Sequence, residues 1–164
     1  MKFIKIINTG GTFNKIYNPI KGELEVPSDY KVVKKIMKKS LFQKKYEITQ
    51  IISKDSLDFT KKDRKLLVKT IKKSKAKKII IIHGTDTMSK SAKFVAKRIK
   101  NKKIVFTGAM KPFEIEKIEA VANLFQAIGC FKNLKKGIYI SMHGICKKFD
   151  KIRKNYKKGV FDEE

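Results

Sequence analysis

Two short stretches place hydroxyl and carboxylate side chains next to glycine directly after strand-like apolar runs. In the first, Phe3-Ile4-Lys5-Ile6-Ile7 leads into Thr9-Gly10-Gly11-Thr12, and in the second four isoleucines, 79–82, lead into His83-Gly84-Thr85-Asp86-Thr87-Met88. A third run, Ile104-Val105-Phe106, opens into Thr107-Gly108-Ala109-Met110-Lys111-Pro112. β-Branched and aromatic residues ending in glycine read as buried strands delivering their last residues to sharp bends, and in an open α/β sheet ligands bind at the carboxyl ends of the strands. A helix N-cap would explain Asp86 or Thr87 alone. It would not explain Thr85 and Asp86 together with a matching Thr12.

Other chemistry-bearing residues give weaker signals. His83 sits at a strand end and reads as a hydrogen-bonded support residue. His143-x-x-Cys146 lacks the further ligands of a zinc site, so no metal is expected. Cys130 and Cys146 have no metal or redox spacing and read as two free thiols in a reducing compartment. Glu116 and Glu119 read as surface or sheet-edge groups.

The elements that must carry these residues follow from the period of the apolar positions. Strand-length runs occupy 3–8, 47–52, 79–82, 103–107 and 137–142, and helical patterns lie between them. One helix begins at a Thr60-x-x-Asp63 capping signature and carries Leu67, Val68 and Ile71; a second carries Ala92, Val95, Ala96 and Ile99; a third carries Ile118, Val121, Ala122, Phe125 and Gly129. Strands alternating with helices predict right-handed βαβ units and a three-layer αβα fold. Its mostly parallel sheet, flavodoxin-like or Rossmann-like, has about five strands. The segment 13–28, with Pro19, Gly22 and Pro27, is too long for a tight turn and reads as a flap over a site.

At 164 residues and 41% hydrophobic content the chain supports one core, and it is expected to form a single domain over 1–164. Its apolar runs are too short to span a membrane. Met1-Lys2-Phe3-Ile4-Lys5 reads as a first strand and not as a signal peptide, which suggests a cytoplasmic protein. The charge is extreme: 41 Lys+Arg against 15 Asp+Glu, a formal +26. Arginine, the residue of bidentate base and phosphate recognition, occurs only at Arg64, Arg98 and Arg153. The lysines are spread along the chain, so the charge reads as a solvated surface with weak, salt-sensitive polyanion binding.

The motifs TGGT at 9–12, HGTDTM at 83–88 and GAMKP at 108–112, in this order, resemble those of the bacterial-type L-asparaginases and related amidohydrolases, in their amino-terminal domain. The resemblance covers nearly the whole chain and is closest to a short form without the smaller carboxyl-terminal domain. It implies an amidohydrolase that needs no cofactor and converts L-asparagine to aspartate and ammonia. By the same resemblance Thr12 is the nucleophile, Thr85 the second hydroxyl, Asp86 the partner of the substrate α-ammonium, and Ser56 the contact for its α-carboxylate. Asp58 supports the loop of Ser56, and Gly11 and Gly84 let backbone approach the substrate and offer N–H groups to an oxyanion. Tyr17 on the flap and Lys154 in Phe149-Asp150-Lys151-Ile152-Arg153-Lys154 are the implied helpers of the threonines. Two other classes stay open, a non-catalytic amino-acid-binding domain and an amidase acting on an aminoacyl-tRNA-linked amide. A homodimer through Val121, Phe125 and Phe131 is expected to shield the site.

Overall fold

A computed structural model describes residues 3–164. The elements in chain order are β1 (Ile4–Gly10), β2 (Ile16–Asn18), β3 (Glu23–Glu25), α1 (Lys31–Lys39), β4 (Tyr46–Lys54), α2 (Lys61–Lys73), β5 (Lys78–Ile82) and α3 (Met88–Ala96). They continue with β6 (Lys103–Thr107), α4 (Lys117–Cys130), β7 (Gly137–Met142), β8 (Ile145–Lys148), β9 (Ile152–Asn155) and β10 (Val160–Glu163). Short 3-10 turns at Thr12–Asn14 and Ser56–Asp58 follow β1 and β4. The central sheet has six strands in the order β4-β1-β5-β6-β7-β8. The first five of these are parallel and are the five strands expected from the sequence; β8 is antiparallel to β7 and is additional. Among the parallel strands the chain order is 2-1-3-4-5, the flavodoxin-like arrangement, whose switch point lies between the first and third. Here those strands are β1 and β5.

Both faces of the sheet are covered, as a parallel sheet requires. Ile4, Ile6, Ile80, Ile82 and Val105 face α1 and α4, while Ile7, Ile79, Ile81, Ile104 and Phe106 face α2 and α3. The strict alternation along uniformly apolar strands is the period-2 geometry of the pleat. At the start of α2 the capping box forms in both directions: Thr60 accepts from the Asp63 amide and Asp63 accepts from the Thr60 amide. The turn after α3 runs on past Ala96, with the amides of Arg98 and Ile99 both donating to the Val95 carbonyl, so Ile99 is buried although it lies beyond the helix.

Three sequence expectations are corrected. Helix α1 occupies a stretch to which the apolar pattern assigns no element; its Val32, Val33, Ile36 and Met37 are all buried. In α4 the buried positions are Ala120, Asn123, Leu124, Ala127 and Ile128, while Ile118 is exposed. The helix is apolar almost all round, so two stripes compete. The sheet takes the one whose alanines allow close approach and whose Asn123 amide donates to the Gly108 carbonyl. Part of the expected dimer face is therefore occupied within the chain. Phe131 is 2% exposed, and Val121 and Phe125 pack against the core, Phe125 edge-on to Phe42. Cys130 and Cys146 are free, as expected, and the Cys130 thiol is near enough to help raise the pKa of Cys146.

Among the described residues, no helix is long and apolar enough to cross a membrane.

Candidate active site

At the switch point the loops after β1 and β5 meet, and their glycines are what lets them do so. Gly11 has φ 75°, and a Cβ there would lie 2.5 Å from both Cα and N of Gly84. A Cβ on Gly84 would in turn lie 2.7 Å from Cβ and Oγ of Ser56. The glycines thus clear space for one another and for Ser56, where the sequence suggested space for substrate. The Gly11 amide is also engaged, donating to the Lys54 carbonyl at 2.9 Å, so it is withdrawn from the expected oxyanion site. The amides of Thr12 and Thr85 have no acceptor among the described residues.

The turn that presents Thr12 is held from below. The Asn8 and Asn14 side chains exchange reciprocal hydrogen bonds of 2.8 and 2.9 Å, and Asn14 also donates to the Gly10 carbonyl. Thr9 is buried and donates to the Ile82 carbonyl, tying β1 to β5. Thr12, one residue beyond the glycines, is half-buried, and its hydroxyl makes no hydrogen bond with a described residue.

Opposite these loops the β9–β10 hairpin brings in Lys154, whose side chain is 12% exposed. Its Nζ donates to Thr85 Oγ1 at 2.8 Å and to Asp86 Oδ1 at 2.7 Å. The Tyr156 ring lies 5.0 Å from the same nitrogen, and the Tyr156 hydroxyl donates to the Asp86 carbonyl. Of the many lysines near the carboxyl end, position 154 is the one that enters the site. The hairpin is seated by Ile152 and Phe161, both buried against the α2–α3 side of the sheet.

A polar chain fixes the hairpin further. The Phe161 amide donates to His143 Nδ1, so the proton of a neutral His143 is on Nε2, which donates to Glu119 Oε1 at 2.9 Å. Glu119 also accepts from the Met110 and Lys111 amides of the GAMKP loop. Glu119 is therefore an anchor between the third motif and the hairpin, where the sequence suggested a surface group. Glu116 caps α4 by accepting from the Ile118 and Glu119 amides.

His83 has the support role expected of it. It is wholly buried between Phe59 and Phe106. Nδ1 must donate to the Gly84 carbonyl at 2.8 Å, so Nε2 accepts from the Ser91 hydroxyl, also at 2.8 Å. Burial lowers its pKa to about 4, keeping the ring neutral. Ser91 accepts in turn from Arg64 Nε, and the other nitrogens of this buried guanidinium reach the Phe59 carbonyl and the Thr87 hydroxyl. Burial pushes the Arg64 pKa down. Arg64 is legible in the sequence only as a rare arginine at the start of a lysine-rich helix.

The remaining expected residues lie around this centre in different states. Ser56 is next to Gly84 but has no exposed surface; its hydroxyl accepts from the Thr87 amide, and its carbonyl accepts from the Thr87 hydroxyl. Asp58 is exposed, and its side chain makes no hydrogen bond or ion pair among the described residues. The loop is supported instead by Asp55, which accepts from the Leu57 amide and pairs with Lys15 at 2.8 Å. Tyr17 is 61% exposed on the β2–β3 hairpin, opposite Leu24, and its hydroxyl makes no hydrogen bond with a described residue. The flap is thus present as a hairpin, with its tyrosine directed to solvent. No three His, Cys, Asp or Glu side chains gather into a metal site among the described residues.

Comparison with known proteins identifies the fold and the family. The family model for the asparaginase amino-terminal domain matches residues 3–160. The thermostable L-asparaginase from Thermococcus kodakarensis superposes with a TM-score of 0.84 at 20% identity, covering 98% of this chain and 51% of that one. L-asparaginase I from Vibrio cholerae gives 0.84 at 22% identity over 99% and 51%, and a probable cytoplasmic L-asparaginase from Campylobacter jejuni gives 0.79 at 23% over 99% and 52%. No curated protein sequence matches at a significant level. The chain spans about half the length of these solved relatives. With the family model running from end to end of its sheet and over all three glycine motifs, the chain belongs to the asparaginase family, through its amino-terminal domain.

Proposed function

We propose that the protein hydrolyses the side-chain amide of L-asparagine, with Thr12 as nucleophile. The observation that carries this reading is the bridging of Thr85 and Asp86 by Lys154, at 2.8 and 2.7 Å, at the switch point of the sheet. Because Thr85 Oγ1 accepts from Lys154, its own proton points elsewhere and can be given to a substrate. Acylation moves the Thr12 hydroxyl proton onto the departing nitrogen, releasing ammonia; deacylation returns a proton from water to the Thr12 oxygen. A relay of Thr85 and Lys154 that accepts one proton and gives one in each half-reaction ends as it began, and no cofactor is required. The free amides of Thr12 and Thr85 are the donors for the developing oxyanion. Asp86, with its second oxygen still available, suits the substrate α-ammonium.

Ammonia release measured on asparagine, glutamine and simple amides tests the proposal. Asparagine is expected to be preferred, and Thr12→Ala and Thr85→Ala each to lose at least ~100-fold in rate with the fold retained. Saturable binding of asparagine with no ammonia from any amide would replace the enzyme by a binding domain. Turnover confined to an aminoacyl-tRNA-linked amide would move the substrate to that class.

A further inference from the structure

Lysines occur on every side of the fold, but one end of the sheet combines them with an absence of carboxylates. Each connection from a helix to the next parallel strand is basic and free of carboxylates: KKSLFQKK at 38–45, KKSKAKK at 72–78, KRIKNKK at 97–103 and KNLKK at 132–136. In a parallel sheet all such connections lie at the amino-terminal end of the strands. The connections in the other direction mix lysines such as Lys15, Lys21 and Lys111 with acids, among them Asp29, Asp55, Asp58, Asp86, Glu114 and Glu116, and these lie at the opposite end. The carboxylate nearest in sequence to the basic end, Glu47, is paired with Lys5.

Helix dipoles explain only part of this. Lys38, Lys39, Lys72 and Lys73 lie in last helical turns, where cations are favoured. Lys44, Lys77, Lys78, Lys132 and Lys136 lie beyond the helices and are exposed. Two basic residues hold the surface in shape: buried Lys102 donates to the Ser74 and Ala76 carbonyls, and Lys103 to the Phe131 carbonyl. The surface is also concave. A cavity of about 750 Å³ has Phe3, Ile4, Ile128 and Phe131 in its walls with Lys44, Lys77, Lys78 and Lys132 around it. A second cavity, of about 440 Å³, shares Lys77 and Lys78 and adds Lys103 and Lys136.

We infer that the amino-terminal end of the sheet is a binding surface for single-stranded nucleic acid, independent of the amidase site at the opposite end. Adjacent cavities sharing two lysines suit a flexible strand whose phosphates follow the ammonium groups while a base enters the apolar-walled space. A membrane surface fits less well, because Leu41 is the only large apolar side chain exposed in these connections. The single arginine among them, Arg98, gives little means of reading base edges, so binding is indifferent to sequence.

The test is fluorescence anisotropy of a labelled oligouridylate titrated with the full chain between about 50 and 200 mM salt. Two charge-matched triple variants are compared, each checked for folding by circular dichroism: Lys77→Gln/Lys78→Gln/Lys132→Gln at the basic end, and Lys61→Gln/Lys62→Gln/Lys117→Gln at the other. The first is expected to flatten the slope of log affinity against log salt by about 2, at about 0.7 for each phosphate no longer neutralised, and to weaken binding at least ~10-fold at the lower salt. The second is expected to change affinity by less than ~3-fold. Equal effects of the two triples would overturn the inference in favour of diffuse charge. Equal affinity for inorganic polyphosphate of the same charge, or tighter binding to phosphatidylserine vesicles, would overturn the choice of nucleic acid.

Discussion

His83 couples the stability of the active-site loop to pH. Its ring is wholly buried, and both nitrogens are committed: Nδ1 donates to the Gly84 carbonyl and Nε2 accepts from Ser91. A second proton would have to displace the Ser91 hydrogen and place a charge between Phe59 and Phe106, near Arg64. Burial therefore lowers the pKa from 6.5 to about 4 in the folded chain. Because the folded pKa is depressed, the unfolded chain takes up the proton first as pH falls. The stability is complete above the unfolded pKa and is lost as pH descends through the window from 6.5 to about 4. At ~1.4 kcal/mol per unit, the loss amounts to about 2 kcal/mol by pH ~5 and ~3 kcal/mol across the whole window. The half-buried Asp55 and Asp63, whose pKa values are lowered from 3.8, lose their stabilising effect mainly at more acid pH. Urea unfolding at pH ~7.5 and pH ~5 gives the difference directly. His83→Gln, which keeps a donor and an acceptor but does not titrate, is expected to remove about 2 kcal/mol of the pH dependence whatever its own cost at neutral pH. An equal pH dependence in both proteins would refute the reasoning, because it would mean that His83 protonates as readily folded as unfolded.

Lys154→Met removes the bridge between Thr85 and Asp86 and is expected to lower ammonia release at least ~100-fold. Its stability cost is about 1 kcal/mol because Asp86 is partly solvated, and the cost should shrink when Asp86→Asn is already present in a denaturation cycle. Gly11→Ala must place a Cβ 2.5 Å from Gly84 at φ 75° and is expected to cost ~3 kcal/mol by denaturant unfolding. Gly22→Ala, at φ 68° with nothing within 4 Å, should cost only ~1 kcal/mol. Burial and the neighbouring Cys130 thiol push the Cys146 thiol up to about 12, so its alkylation at pH ~8 should be at least ~100-fold slower in the folded than in the unfolded chain by mass spectrometry. Tyr17→Phe should leave stability within ~0.5 kcal/mol, since the hydroxyl is exposed and unbonded; a large fall in ammonia release would show that the flap carries it to the substrate.

The parallel strands and the central motifs are legible because their signals are local. A run of β-branched residues ending in glycine says strand and bend without reference to the rest of the chain, as at 79–84, and the Thr60–Asp63 capping box forms over one turn. The flavodoxin-like class follows from the alternation of such runs with helical patterns. Helix α1 and the buried face of α4 are not legible in the same way, because their apolar positions acquire a direction only from the sheet beneath them. In α4 the choice between stripes is made by the close approach that Ala120 and Ala127 permit and by the Asn123 bond to Gly108.

By itself the sequence determined the five parallel strands, the order in which they occur along the chain and the hydroxyl and carboxylate groups at their ends. Contacts between residues far apart in the chain were decided by the tertiary structure. Lys154, which the sequence sets apart from its lysine neighbours only by resemblance, lies 69 residues from Thr85 and reaches it because the β9–β10 hairpin folds back. The glycines, read as room for a ligand, are where the two loops touch. Support of the Ser56 loop passes from Asp58 to Asp55, three residues away, because only Asp55 accepts from the Leu57 amide and reaches Lys15. The charge shows the same division: the lysine-rich, carboxylate-free connections from helix to strand fall at one end of the sheet, and the acid-bearing connections from strand to helix fall at the other. The alternation of βα and αβ connections becomes a separation in space only once the strands lie parallel.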